Sequence, residues 1–165
     1  MGDTCKGTHV TAAVSVREAR LDRAEQDVLH SARLFFQTFA VPESHSWIAA
    51  LQDAQRRFHP QHGLDVAWRI LAAIQAMRTS RKSTFSFNNP CCPQCALGLS
   101  QHERQFIGVL AALRCRQRSV AETHAMLLCE GNATAPLLEA MAVLSASLGP
   151  RAAEVGQSPL IPSHE

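Results

Sequence analysis

Three of the chain's six cysteines, Cys91, Cys92 and Cys95, fall within five positions in the run Asn88-Asn89-Pro90-Cys91-Cys92-Pro93-Gln94-Cys95. This run constrains the fold more than any other stretch. It interrupts a pattern that is helical on both sides, inside a segment from Arg78 to Leu99 without helical periodicity. A loop of that length is uncommon in a compact domain unless it is functional or tied down. Clustered cysteines are the obvious tie.

Cys92-Pro93-Gln94-Cys95 is a C-x2-C pair, a spacing that turns two thiolates toward one zinc ion. A structural zinc site takes four donors, so the pair is half a site. Helix geometry selects the rest. Cys115 lies about 22 Å along a helix that starts near Ser100, too far to return to the turn. A short connection at Gln117-Arg118-Ser119 folds the next helix back, and its last residue, Cys129, becomes the expected third donor. His102, in the first turn after Ser100, is the expected fourth. Cys91 competes with both, His59 and His62 form a reserve H-x2-H pair, and Cys5 reads as a bystander. The expected cofactor is structural zinc, because mixed thiolate and imidazole tetrahedra suit it; a small iron–sulfur cluster is the alternative.

The same four residues resemble the active-site dithiol of glutaredoxins in Cys92, Pro93 and Cys95. The resemblance implies thiol–disulfide exchange by a first thiolate of lowered pKa at a helix N-terminus. It covers only the motif. Glutaredoxins place the motif after a strand in a βαβ frame, and this chain reads as helical there.

The helical frame follows from apolar spacing and caps. Ser15 with Glu18 reads as a capping box opening a helix with Val28, Leu29, Ala32, Phe35, Phe36 and Phe39 inward, stopped by Pro42. A second helix runs from Pro42 to about Phe58, with Trp47, Ile48, Leu51, Ala54 and Phe58 on one face. His59-Pro60-Gln61-His62-Gly63 breaks it, and a third runs over 64–77 with Ala67, Trp68, Leu71, Ile74 and Met77. Ser100 and Glu103 cap a fourth helix reaching about Arg116. Ser119 and Glu122 repeat that signal for a fifth, ending at Cys129. Thr134 and Pro136 open a sixth, stopped at Gly149-Pro150. Thr84 to Phe87 alternates and suits a short extended run. The expected fold is all-α: a compact bundle of about six helices over 15–149, with a cysteine-rich metal knuckle between the third and fourth. Residues 1–14 read as a disordered arm and 150–165 as a flexible tail.

Composition agrees. With 165 residues, aromatics at 5% and no tyrosine, the core must be Leu, Ala, Val, Ile and seven Phe, which suits close-packed helices. No apolar run approaches a membrane span and the start lacks a signal-peptide layout, so the expected compartment is the cytoplasm, where thiols stay reduced.

The net charge of +2 is unevenly spread: net −1 over 1–68, +7 over 69–118 and −4 over 119–165. The basic third suggests anion or nucleic-acid contact through Arg78, Arg81, Lys82, Arg114, Arg116 and Arg118; the plainer account is ordinary pairing with the acidic thirds. Helices 119–129 and 135–148 lack the Arg, Lys, Asn or Gln that a base-reading helix presents, so such contact would be sequence-blind. No nucleotide-loop or H-E-x-x-H motif is present. Asp22, Glu25 and Asp27, interleaved with arginines, read as a salt-laced exposed face, and His124 as a packed histidine bonded to a carbonyl. The helix over 135–148 is apolar enough to be buried in the core or against a partner. The sequence therefore points to a non-enzymatic regulatory or adaptor protein with a protein partner or a homodimer; a nucleic-acid-binding regulator and a thiol redox protein are the alternatives.

Overall fold

The computed structural model describes residues 14–151. The expected arm and tail, apart from Val14, Pro150 and Arg151, lie outside the described residues, as does Cys5.

The described chain is mostly helical. Six long helices match the expected ones: α1 (Arg23–Ala40), α2 (Ser46–Arg57), α3 (Gly63–Ser80), α5 (Gln101–Arg114), α6 (Arg118–Leu128) and α7 (Ala135–Leu148). A single-turn helix, α4 (Pro93–Ala96), lies inside the cysteine run, and a 3-10 turn (Pro42–Ser44) precedes α2. Two short strands, β1 (Val14–Ser15) and β2 (Gly98–Leu99), pair antiparallel, with Val14 opposite Leu99 and Ser15 opposite Gly98. Among the described residues no helix is long and apolar enough to cross a membrane.

Helix α1 packs on α2, α3 and α5, while α7 lies across α3 and α5. The interior between them is built of Leu29, Ile70, Ile74, Met77, Phe106, Leu110, Leu137, Met141 and Leu144. Phe36 and Phe106 meet edge-to-face at 5.6 Å, and Phe85 and Phe87 of the long loop close on Phe36 from the other side. Loop 81–92 therefore has an aromatic anchor, which the alternation at 84–87 foreshadows, although no strand forms there.

Several boundaries differ from expectation. Ser15 and Glu18 exchange both capping-box hydrogen bonds, but the turn they cap ends at Arg20, whose φ of 49° breaks it. The helix starts at Arg23 under a second capping box, Asp22 with Glu25. Ser119 lies inside α6, which begins at Arg118 with Gln117 ahead of it and no side-chain cap. Thr134 precedes α7 without a cap hydrogen bond.

The expected stripe of α2 turns, while that of α3 faces inward at Ala67, Ile74 and Met77 and departs at Trp68. Ala50, Asp53 and Ala54 are the buried residues of α2, and Trp47, Ile48 and Trp68 stand exposed. Most of the apolar surface of α7 is covered within the chain, against α3 and α5; Val143 is the large residue it leaves half exposed.

Candidate metal centre

The C-x2-C turn takes its shape from local chemistry. Asn89 accepts the Cys91 amide on its side-chain oxygen at 2.8 Å and the Cys92 amide on its carbonyl at 3.3 Å. Cys92 then sits at the N-cap of α4 with Pro93 in the first turn, and the Cys95 N–H donates to the Cys92 sulfur at 3.4 Å. Both thiols lie on one turn, half-buried, while Cys91 faces solvent. Two sulfurs on one turn are two adjacent soft donors of the kind a zinc ion takes.

The turn is mounted on a buried ion pair. Arg33 of α1, 3% exposed, donates to the carbonyls of Ala96 at 2.8 Å and Gly98 at 2.5 Å, on the strand side of the turn. Its guanidinium also forks onto Glu103 of α5 at 2.7 and 3.1 Å. The Glu103 carboxylate, fully buried, accepts further from the Asn88 amide, the Asn88 side chain and the Ser100 amide. Both ends of the cysteine loop are thus bonded to a single pair of charges.

The antiparallel return of α6 carries Cys129 to the end of α3, beside Ser80 and Arg81. Burial pushes the Cys129 thiol up from its ordinary value. His102 reaches the same neighbourhood from α5. Its Nδ1 accepts the Ser86 amide at 2.9 Å, and its Nε2 meets the Arg81 guanidinium at 3.3 Å. Burial first, and the Arg81 charge next, push the imidazole below its ordinary value. Arg81 in turn donates to the Leu128 carbonyl and Ser83 Oγ and pairs with Glu130 at 3.1 Å. A guanidinium therefore draws these helix ends together where the sequence suggests a metal. Among the described residues no group of three or more His, Cys, Asp or Glu side chains is placed to hold a metal ion, so Cys92, Cys95, Cys129 and His102 are not gathered into one. His59 and His62 face each other at 6.0 Å between ring centres, at the corner between α2 and α3. Exposed Cys115 follows α5.

The basic third does not form one patch. Arg114 is buried and bonded to Asp22 at 2.7 Å and Glu25 at 3.1 Å, and Arg81 is almost wholly enclosed. Arg118 pairs with Glu122 along α6, and Arg78 stacks on the Phe39 ring at 3.7 Å. Lys82 and Arg116 stand exposed. The acidic partners of these arginines are Asp22 and Glu25 at the start of α1, Glu122 within α6 and Glu130 just past it.

The reading of Asp22, Glu25 and Asp27 as an exposed face is overturned. Glu25 is fully buried and Asp27 nearly so. Asp27 and Asp53 share Arg57, at 2.7 and 2.8 Å, and Ser31 donates to Asp53 at 3.0 Å. Carboxylates held by guanidinium in this way act as struts between α1 and α2. The sequence signal was present: Asp27 sits next to Val28 on the inward side of α1, and Asp53 next to Ala54 on that of α2. His124 packs over Gly108 and pairs with the side-chain oxygen of Gln105, an amide carbonyl from the neighbouring helix.

Compared with known protein families, curated proteins and solved structures, the chain matches none.

Proposed function

We propose that the protein is a helical binding module, stabilised by zinc at the Cys92–Cys95 turn and acting by contact with another protein chain rather than by catalysis. The observation that carries the binding role is Trp68. It is 68% exposed on α3, one turn from Leu64 at 49%, and shares a shallow groove with Val143 of α7, at 50%. A tryptophan flanked by two large aliphatic side chains, rimmed by Asp65 and Arg69, has the make-up of an interface hot spot with a polar edge.

A photo-crosslinking residue at position 68 tests the reading in cells. It should yield one discrete protein adduct, a second copy or a partner, while the same residue at exposed position 123 yields none. No adduct at 68, together with a monomer at every concentration in sedimentation, overturns the binding role. Zinc absent from the purified protein overturns the metal.

A further inference from the structure

We propose that the cleft between the ends of α1 and α3 and the loop 81–92 is a binding site for a small aromatic acid, its ring held among phenylalanines and its carboxylate by Arg78 and Lys82. The site stands apart from the Trp68 face, with which it shares no lining residue.

The floor of the cleft is apolar and already gathers rings. Phe36 and Met77 line it as buried residues, and the half-buried Phe85 and Phe87 stand 4.4 and 5.7 Å from the Phe36 ring. Phe39, 37% exposed, opens onto the same space. The cleft encloses about 340 Å³, at the small end of the range of ligand sites, which suits a body of one or two rings. A flat aromatic body covers phenylalanine faces through the offset and edge contacts that rings prefer.

The rim is cationic, and among the described residues no carboxylate lines it. Arg81 is answered by Glu130 at 3.1 Å, but Arg78 and Lys82 are not answered in this way. The Arg78 guanidinium lies 3.7 Å over the Phe39 ring and donates through Nη1 to the neutral Gln75 side chain at 2.9 Å. Its Nε and Nη2, and the Lys82 ammonium, have no hydrogen-bond or ion-pair partner among the described residues. Arg78, in the last turn of α3, also complements the dipole of that helix, an effect that fades beyond the terminal turn. Lys82 is exposed past the helix end and has no such role. A carboxylate here gains charge-assisted bonds from two cations, and a guanidinium stacked on one ring offers its other face to a second. An aromatic acid meets the floor and the rim together.

Amide-resolved NMR titration of the full-length protein with naphthoate tests the site. The amides of Arg78, Lys82 and Phe85 should shift saturably, with a Kd below about 1 mM. Naphthamide, the neutral counterpart, should bind at least about tenfold more weakly, as expected when hydrogen bonds to a charged group are lost. The double variant Arg78→Gln/Lys82→Gln, changed at two exposed positions, should lose that preference for the acid over the amide. Octanoate should bind more weakly than naphthoate, and equal or tighter binding overturns the aromatic body. A preference for the acid that survives the double variant overturns the part given to Arg78 and Lys82. The site itself falls if naphthamide binds as well as naphthoate to the parent, if the shifts gather at Leu64 and Trp68 instead, or if no shift saturates.

Discussion

Arg33 and Glu103, 70 residues apart in sequence, close a two-bond fork in the interior, Nε to Oε1 at 2.7 Å and Nη2 to Oε2 at 3.1 Å. Neither charge reaches water, and every other bond they make goes to the loop that carries the cysteines or to its junction with α5. The pair converts the contact between α1 and α5 into a mount for the turn. Removing one partner leaves an uncompensated buried charge, which costs about 3–5 kcal/mol. Arg33→Ala and Glu103→Ala should each lower unfolding free energy in urea by that amount, and the double variant by clearly less than the sum. Additive losses would mean that the two charges act separately.

The sequence held one half of this pair and concealed the other. Ser100 and Glu103 are legible as a capping box because both bonds are local. Nothing local says that the same carboxylate receives an arginine from α1. Arg33 does carry a signal: Leu29 lies four positions before it and Phe36 three after, so it sits on the inward face, where a charge needs a buried partner. The same logic exposes Asp27 and Asp53. The six long helices were readable because each carries its own apolar stripe. The outward positions of Trp68 and Trp47 were not, because periodicity fixes a face without saying how much of it neighbouring helices cover.

Close approach of α2 and α3 makes Gly63 a test of the packing. A Cβ there would stand 2.5 Å from the Gln55 Cα and 2.6 Å from the Ala54 carbonyl oxygen, both backbone atoms. Alanine for glycine within a helix ordinarily gains up to about 1 kcal/mol. Here the sign should reverse, with Gly63→Ala losing about 1–3 kcal/mol as the helices are forced apart. Thermal melts of parent and variant decide it, and a stabilised variant would show that the corner between α2 and α3 is looser than described.

Glu130, just past α6, latches the loop that leaves α3. Its carboxylate accepts from the Ser83 hydroxyl and from the amides of Lys82 and Ser83 at 2.9 and 3.2 Å, with Arg81 alongside. These bonds, that of the Ser83 side chain foremost, bring its pKa from 4.5 down to about 2. Between those values the unfolded chain binds the proton more readily than the folded one. The latch therefore contributes fully above pH 4.5 and fades as pH falls toward 2. Glu130→Gln should be less stable than the parent at neutral pH, and the two stability curves should converge in acid. Parallel curves throughout would show that the carboxylate is not held.

The cysteines separate by reactivity in a way that ranks the candidate donors. Cys91 and Cys115 are exposed and should alkylate first in the native protein. Cys129 is fully buried, with its thiol pushed up by burial, so its small thiolate fraction is also out of reach, and it should alkylate last. Cys92 and Cys95 are half-buried on the turn, and a bound cation would hold their sulfurs. Mass-spectrometric mapping after a short pulse of alkylating agent, with and without chelator, should therefore show Cys92 and Cys95 gaining reactivity when metal is withdrawn while Cys129 does not change. A parallel gain at Cys129 would reinstate it as a donor beside His102 and require Arg81 to leave the place it holds between them.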